Sequence, residues 1–336
     1  LDFHRRAAKP EWWALFARSE LTHDELIEDI EAIGNMTRDI LIHPRNENKT
    51  NIYTYNFPDQ ETKIKTGDNC VIADTLERID RVIVDEDKLE VTFSYPAKKG
   101  ILGSRLSIGL GGPIPTDKIT DALFRFADSL IAGNKRYPAL ESILRQDIPR
   151  FKKYQKRKTI IDEAKKILPQ VIDAVVNLNN SYIFIQGPPG SGKTYTGSHI
   201  IVELLRRGFR VGVSSNSHKA INNLLSHVEK VAMEQGVDFE GVKKSTKTKD
   251  ESIFDGLFIQ NVFINKEALD ENWQLIAGTA WLFSDVLADQ VLDFLFVDEA
   301  GQVALANLIA MGTSARNIVL LGDQMQLGQP IQGIHP

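Results

Sequence analysis

The stretch "FIQGPPGSGKTY", Phe184 to Tyr195, decides the fold. Gly187, Gly190 and Gly192 leave backbone N–H groups free to point at phosphate oxygens, with Pro188, Pro189 and Ser191 completing the loop. In such a loop Lys193 reaches the β- and γ-phosphates and the Thr194 hydroxyl holds magnesium. The flanks fit. The apolar "SYIFIQ" reads as a strand, and "KTYTGSHIIVELLRRG" reads as an amphipathic helix ended by Gly208. That helix adds the partial positive charge of its N-terminus to the site. A chance glycine-rich turn would lack this strand and helix. The loop therefore predicts a bound nucleoside triphosphate, without saying what the energy is for.

Downstream the pattern alternates. "RVGVSS" reads as a strand, "KAINNLLSHVEKVAMEQG" as a helix, and "WQLIAGTA", "DFLFVDEA" and "NIVLLGD" as further strands. This predicts a parallel sheet with crossover helices, an α/β fold. The polar "KKSTKTKDES" (243–252) reads as a mobile loop. "FLFVDEAGQV" is a buried strand run ending in Asp298 and Glu299. At the end of a neighbouring strand, Asp298 would bind magnesium through water and Glu299 would polarise the attacking water. Two carboxylates at a strand end can also be merely solvated, but these follow a phosphate loop in a parallel sheet. "LLGDQMQLGQP" ends another apolar strand, where Gln326 could touch a γ-phosphate; the alternative is a bare strand-to-loop turn.

Upstream the chain looks different. "LTHDELIEDIEAIG" carries Thr22 and Glu25 at the spacing of a capping box, with Leu26, Ile30 and Ile33 on one face and Gly34 as a stop, which predicts a helix. From about residue 50 the period changes to two: Tyr53, Tyr55 and Phe57 alternate, as do Leu89, Val91, Phe93 and Tyr95. The tetrad "DEDK" (85–88) makes a hairpin turn. Short strands between 50 and 110 predict a small β-barrel of the oligonucleotide-binding or a similar type. Two helical stretches follow, "TDALFRFADSLIAG" and "YPALESILRQDIPRF". The basic run "RFKKYQKRK" (Arg150 to Lys158) reads either as a solvated helix face or as a grip on a phosphate backbone.

The bulk numbers are those of a globular protein. The 336 residues include 42% hydrophobic and 25% charged side chains, with net charge −5. No apolar run of about 18 residues is present, and no secretory leader, so neither a membrane helix nor export is expected. Cys70 is the single cysteine, which excludes disulfides and cysteine-built metal sites and fits a reducing cytoplasm. The first residue, Leu1, suggests a fragment or a processed product.

"GPPGSGKT", "VDEAGQ" and "GDQMQLGQP", in that order, resemble motifs I, II and III of superfamily 1 helicases, in the DEAxQ branch that moves 5′ to 3′. "SSNSHKAINNLL" is similar to that family's backbone-contact motif, which implies that Ser215, Asn216, Ser217 and His218 touch nucleic acid. "AGTAWLF" is similar to a further contact motif, with Thr279 the contact. Gln170 stands where the family places an adenine-reading glutamine, beside Tyr195 at the ATP site, and Gln302 and Asp323 stand at its coupling positions. The resemblance implies a RecA-like P-loop domain over 166–336, a helical stalk-like segment over 113–165, the barrel over 50–112 and a helical connector over 1–49. It further implies ATP and magnesium as cofactors and a single strand, DNA favoured over RNA, as partner.

"KPEWWALFARSELTHDELIEDIEAIG" resembles the region joining a RecB-like nuclease to a helicase in bacterial fusion proteins. On that resemblance, a second RecA-like domain and an N-terminal nuclease belong to the parent protein, and this chain alone turns over weakly. Two departures stand out. Ser191 replaces a more frequent Thr, and "EDK" (Glu86 to Lys88) mimics a nuclease ExK but sits in a hairpin turn without an upstream acid. The alternatives are a non-hydrolysing module that binds nucleotide and nucleic acid, or another P-loop enzyme. A GTPase would want NKxD; "NKEA" at Asn265 lacks the Asp.

Overall fold

The computed structural model describes residues 9–39, 41–47, 49–113, 115–153, 160–188, 190–246 and 250–323. The chain divides into two compact units, one formed mainly by 4–114 and one mainly by 115–330.

The first unit opens with α1 (Lys9–Ser19) and is otherwise antiparallel sheet: β1 (Ala32–Thr37), β2 (Arg45–Glu47), β3 (Thr50–Asn56), β4 (Cys70–Ile72), β5 (Arg78–Asp85), β6 (Glu90–Pro96) and β7 (Arg105–Leu110). The strand order is β1-β7-β4-β5-β6-β3-β2, and Thr37 also pairs with Asn56, so β1 meets β3 and closes a six-strand ring. The expected barrel is present. Its alternating residues point inward: Tyr53, Tyr55, Val91, Phe93 and Tyr95 are buried, and the Tyr55 and Phe93 rings stack at 5.7 Å.

The helix expected over 22–33 is not formed. Thr22 and Glu25 do bond reciprocally, Thr22 N–H to Glu25 Oε2 at 2.8 Å and Glu25 N–H to Thr22 Oγ1 at 3.3 Å. They cap only a single 3₁₀ turn, Glu25–Ile27, before the chain extends into β1. Barrel closure overrides local propensity here, because Ile33 and Met36 are needed in the barrel core. The sheet thus begins well before residue 50, and the expected helical connector forms part of the barrel unit.

The second unit contains α2 (Asp117–Ala132), α3 (Pro138–Arg145), α4 (Ile167–Val176), β8 (Tyr182–Gln186), α5 (Lys193–Arg206), β9 (Val211–Ser214), α6 (His218–Gln235), β10 (Gly241–Lys244), β11 (Ile259–Val262), β12 (Leu275–Ala277), β13 (Leu292–Val297), α7 (Leu305–Gly312) and β14 (Ala315–Gly322). All seven strands run parallel in the order β11-β10-β12-β9-β13-β14-β8. This is the RecA-like sheet. Alternation along β13 and β14 feeds two cores: Phe294, Phe296, Val319 and Leu321 pack with α4, α5 and α6, and Leu295, Val297, Ile318 and Leu320 pack with α2, α3 and α7.

Two expectations change here. Ile119, Leu123, Phe126 and Leu140 lie in that second core, so the stalk-like helices are a layer of the α/β unit. Residues 243–244 belong to β10 and 250–252 form a 3₁₀ turn, so the "mobile loop" is partly regular structure. Lys243 is fully buried, with its ammonium donating to the Ser252 carbonyl, and burial pulls its pKa down to about 8. Within the basic run, Arg150 is structural: it donates to Ser142 Oγ at 2.5 Å and to Pro138 O at 3.2 Å, and also bonds Asn180 O. Residues 154–158 of that run lie outside the described residues.

Candidate nucleotide and nucleic-acid site

The parallel sheet brings the carboxyl ends of β8, β14, β13, β9 and β12 to one edge, where α/β folds place their ligands. β8 delivers the glycine-rich loop. Gly187 N–H donates to Gly322 O at 3.1 Å, which ties the start of the loop to the end of β14. Gly190 and Gly192 have φ of 78° and 82°, a region side chains rarely adopt, and this turns the chain sharply into α5. Pro189 lies outside the described residues. The Lys193 ammonium lies in the loop, bonded to the Gly187 carbonyl and to Pro188 O at 2.9 Å. Thr194 follows, half-buried in the first turn of α5, and Tyr195 is exposed with its ring 4.1 Å from that of His199.

β13 delivers the acidic pair. Asp298 N–H donates to Ser214 O at 2.9 Å, so the β9–β13 pairing continues one residue past the strand. Asp298 is buried, and its Oδ1 accepts from Glu299 N–H at 2.9 Å. Burial pushes its carboxyl above the usual aspartate range and the charge of Glu299 adds to this, while the Glu299 N–H bond and the Lys193 charge act the other way. The loop and the acidic pair thus lie at the same edge of the sheet, near enough for the Lys193 charge to act on Asp298. A divalent cation would reverse the burial cost, so a buried carboxylate beside a cationic loop and a half-buried threonine hydroxyl suits magnesium. Glu299 sits in the left-handed region, at φ 52° and ψ 38°. For a non-glycine residue this is a strained backbone of the kind that concentrates at functional sites.

The turn after Glu299 closes on the end of β14. A Cβ on Gly301 would lie 2.8 Å from Asp323 O, and Gln302 N–H donates to Glu299 O at 2.8 Å. Gln302 and Asp323, the residues expected at coupling positions, are thus brought beside the acidic pair. Gln326 lies outside the described residues.

The expected strand contacts fall on the next two strand ends. Ser215 is buried at the end of β9, Asn216 and Ser217 are exposed, and His218 starts α6. Ser217 Oγ accepts from Ala220 N–H at 3.1 Å as the N-cap of α6. Asn216 Nδ2 donates to Gln302 O at 2.6 Å, toward the acidic turn. Thr279, half-buried, precedes a helical turn (Ala280–Phe283) after β12, and Gly278 N–H reaches Val213 O at 3.1 Å. The sequence did not single out Ser214. Its carbonyl holds Asp298, and its hydroxyl, like that of Ser215, is buried without a hydrogen-bond partner. A serine pair ending an apolar strand was the signal that could have found it.

Gln170 lies on α4. Its Oε1 accepts from Asp162 N–H at 2.8 Å, and its Nε2 donates to Asp162 O and Lys166 O, both at 3.0 Å. The amide is held by three hydrogen bonds, two of them a donor-plus-acceptor pairing with the Asp162 backbone.

A parallel sheet whose edge strand feeds a glycine-rich phosphate loop, with an Asp-Glu pair, its Asp buried, two strands away, defines a P-loop nucleotide-binding domain. Residues 169–333 match the family model described as an AAA domain, and the relatives that this part of the chain resembles are helicases. The chain is 29% identical over 194 residues to the DNA replication ATP-dependent helicase/nuclease JHS1 of Arabidopsis thaliana, covering 57% of this chain and 14% of the relative. It is 28% identical over 169 residues to the DNA replication ATP-dependent helicase/nuclease DNA2 of Homo sapiens, covering 45% of this chain and 15% of the relative. The chain therefore spans only a small part of these relatives. Among solved structures, Arterivirus nonstructural protein 10 (helicase) aligns over 88% of this chain and 50% of its own, at 14% identity and a TM-score of 0.39. A score of that size adds nothing to the fold, which rests on strand order. Among the described residues no helix is long and apolar enough to cross a membrane.

Proposed function

We propose that this chain is the ATP-binding core of a nucleic-acid-driven ATPase, the motor of a helicase that moves along single-stranded DNA. One observation carries the reading: the phosphate loop, the acidic pair and the 214–218 turn occupy the ends of β8, β13 and β9 in one sheet, with the 214–218 turn hydrogen-bonded to the acidic turn and the phosphate loop to the end of the intervening β14. Triphosphate chemistry and strand contact therefore sit within one network.

In this reading Gly187 to Thr194 cradle the triphosphate and Lys193 neutralises it. Thr194 and Asp298 hold magnesium, which would draw charge from the transferring phosphoryl group. Glu299 orients the attacking water and takes its proton, and Gln326 senses the γ-phosphate. Gln170 reads adenine beside Tyr195. The Asp162 N–H and C=O that it now bonds present the same donor and acceptor as an adenine edge. Ser215, Asn216, Ser217, His218 and Thr279 line the strand path, and Gln302 and Asp323 link it to the acidic pair. DNA is favoured over RNA because the named relatives are DNA replication enzymes. A cytoplasmic setting fits the buried lone thiol.

Hydrolysis in this class is completed by a second RecA-like domain. Binding is therefore measured on this chain and turnover on its parent protein. Lys193→Ala is expected to weaken MgATP-analogue binding by about 100-fold or more, because it removes a charge-assisted hydrogen bond from a preorganised site. The circular dichroism spectrum should stay unchanged. Oligothymidylate is expected to stimulate turnover of the parent at least tenfold. Nucleotide binding with no response to the strand would leave only a P-loop enzyme of another kind.

A further inference from the structure

The amide of Asn216, an expected strand contact, is bonded within the protein. It donates to the Gln302 carbonyl at 2.6 Å, joining the turn after β9 (214–218) to the turn after β13 (298–302). The same two turns share the Asp298 N–H to Ser214 O bond at 2.9 Å. Both turns carry signs of an unrelaxed arrangement. Glu299 is held left-handed, and the Ser214 and Ser215 hydroxyls are buried without partners. Buried polar groups in folded proteins are nearly always paired, so an orphan pair beside a strained residue marks a segment with a second arrangement open to it.

We propose that Asn216 is a latch between strand binding and hydrolysis, a positioning residue that holds the 298–302 turn in the strand-free protein. The proposal rests on the nucleic-acid reading of the 214–218 turn. Asn216 is exposed, so a strand can reach it. A phosphate oxygen is a charged acceptor and forms a stronger hydrogen bond than the neutral Gln302 carbonyl. A strand arriving at the turn therefore takes the Asn216 amide. The Gln302 carbonyl is released, the backbone at Glu299 is free to leave the left-handed region, and its carboxylate moves relative to Asp298. The strand thus acts on the water-orienting residue through one hydrogen bond.

The test is hydrogen exchange of the 298–304 segment in this chain, with and without oligothymidylate, for the wild type, N216D and N216A. Asn216→Asp keeps the shape and removes the donor. Without the strand, both variants are expected to exchange about tenfold faster than wild type at Glu299 to Val303, the loss of one modest hydrogen bond. The amides of β13 should be unchanged, which reports an intact sheet. Oligothymidylate should bring the wild type to the same rate and move the variants less than about twofold. Strand-free variants that exchange like wild type would show that the bond holds nothing and would overturn the latch. Anisotropy-confirmed strand binding with no change in wild-type exchange would overturn it as well. If anisotropy shows no strand binding at all, the nucleic-acid reading fails with the strand step. The strand-free comparison then still decides separately whether Asn216 holds the turn.

Discussion

Asp298 illustrates how much one carboxyl group contributes to this site. Its acidity is reduced mainly by burial and then by the Glu299 charge, so the folded protein binds its proton more tightly than the unfolded chain does. A group shifted in this direction favours the folded state at low pH. That contribution is lost as the pH rises from the ordinary aspartate value, about 3.9, through the raised one. Asp298→Asn removes the titration. The variant is expected to melt above wild type at pH 7, with the difference shrinking toward zero near pH 4, in paired thermal scans. Magnesium-dependent turnover of the parent carrying this change should fall by roughly 10² or more, since a metal ligand contributes several kcal/mol to charge stabilisation. A variant that melts with wild type at every pH would show that the carboxyl is not strained by burial. The residue types of the candidate site were legible in the sequence because Lys193, Thr194, Asp298 and Glu299 are spaced as the proposed chemistry requires. The left-handed backbone at Glu299 and the committed amide of Asn216 were not legible, because both arise from hydrogen bonds and packing between turns far apart in the chain.

At the scale of elements, the stretch from Thr22 to Thr37 separates local rules from tertiary demand. The capping box forms as its spacing says, yet the helix stops after one turn because β1 must pair with β7 and β3. Gly34, read from sequence as a helix stop, is instead a strand residue pressed against the 3₁₀ turn. A Cβ there would run into Ile27 N and lie 2.5 Å from Leu26 C. Both are backbone atoms and cannot swing aside. Gly34→Ala is therefore expected to destabilise the barrel by about 1–3 kcal/mol, the usual cost of overpacking, read as a lower urea midpoint. A midpoint equal to wild type would show that β1 can slide away from the turn. β10 and β11 escaped the sequence reading for a related reason. Each is four residues long, and β10 ends in Lys243 and Lys244, which read as loop until the 250–252 turn supplies a carbonyl for the buried Lys243 ammonium. The longer strands β8, β13 and β14, with their apolar runs, were read from sequence directly.

For the whole molecule, the separation of the cores has a measurable consequence. The barrel core holds Tyr53, Tyr55, Phe93 and Cys70, and the α/β unit has its own two cores on either face of its sheet. Cys70 is fully buried, and burial, with a smaller effect of the Asp68 charge, pushes its thiol up to about 12. At pH 8 the native thiol is therefore protonated as well as covered, and an aromatic disulfide reagent can label it only when the barrel opens. The proposed nucleotide site lies in the other unit. At one hundred times its dissociation constant nucleotide should stabilise that unit by about 2.7 kcal/mol, visible as a raised melting transition. If each core is cooperative by itself, the labelling rate of Cys70 stays within about twofold while that transition moves. Labelling slowed toward a hundredfold by nucleotide would mean that the barrel opens only when the α/β unit does, and that the two cores unfold as one.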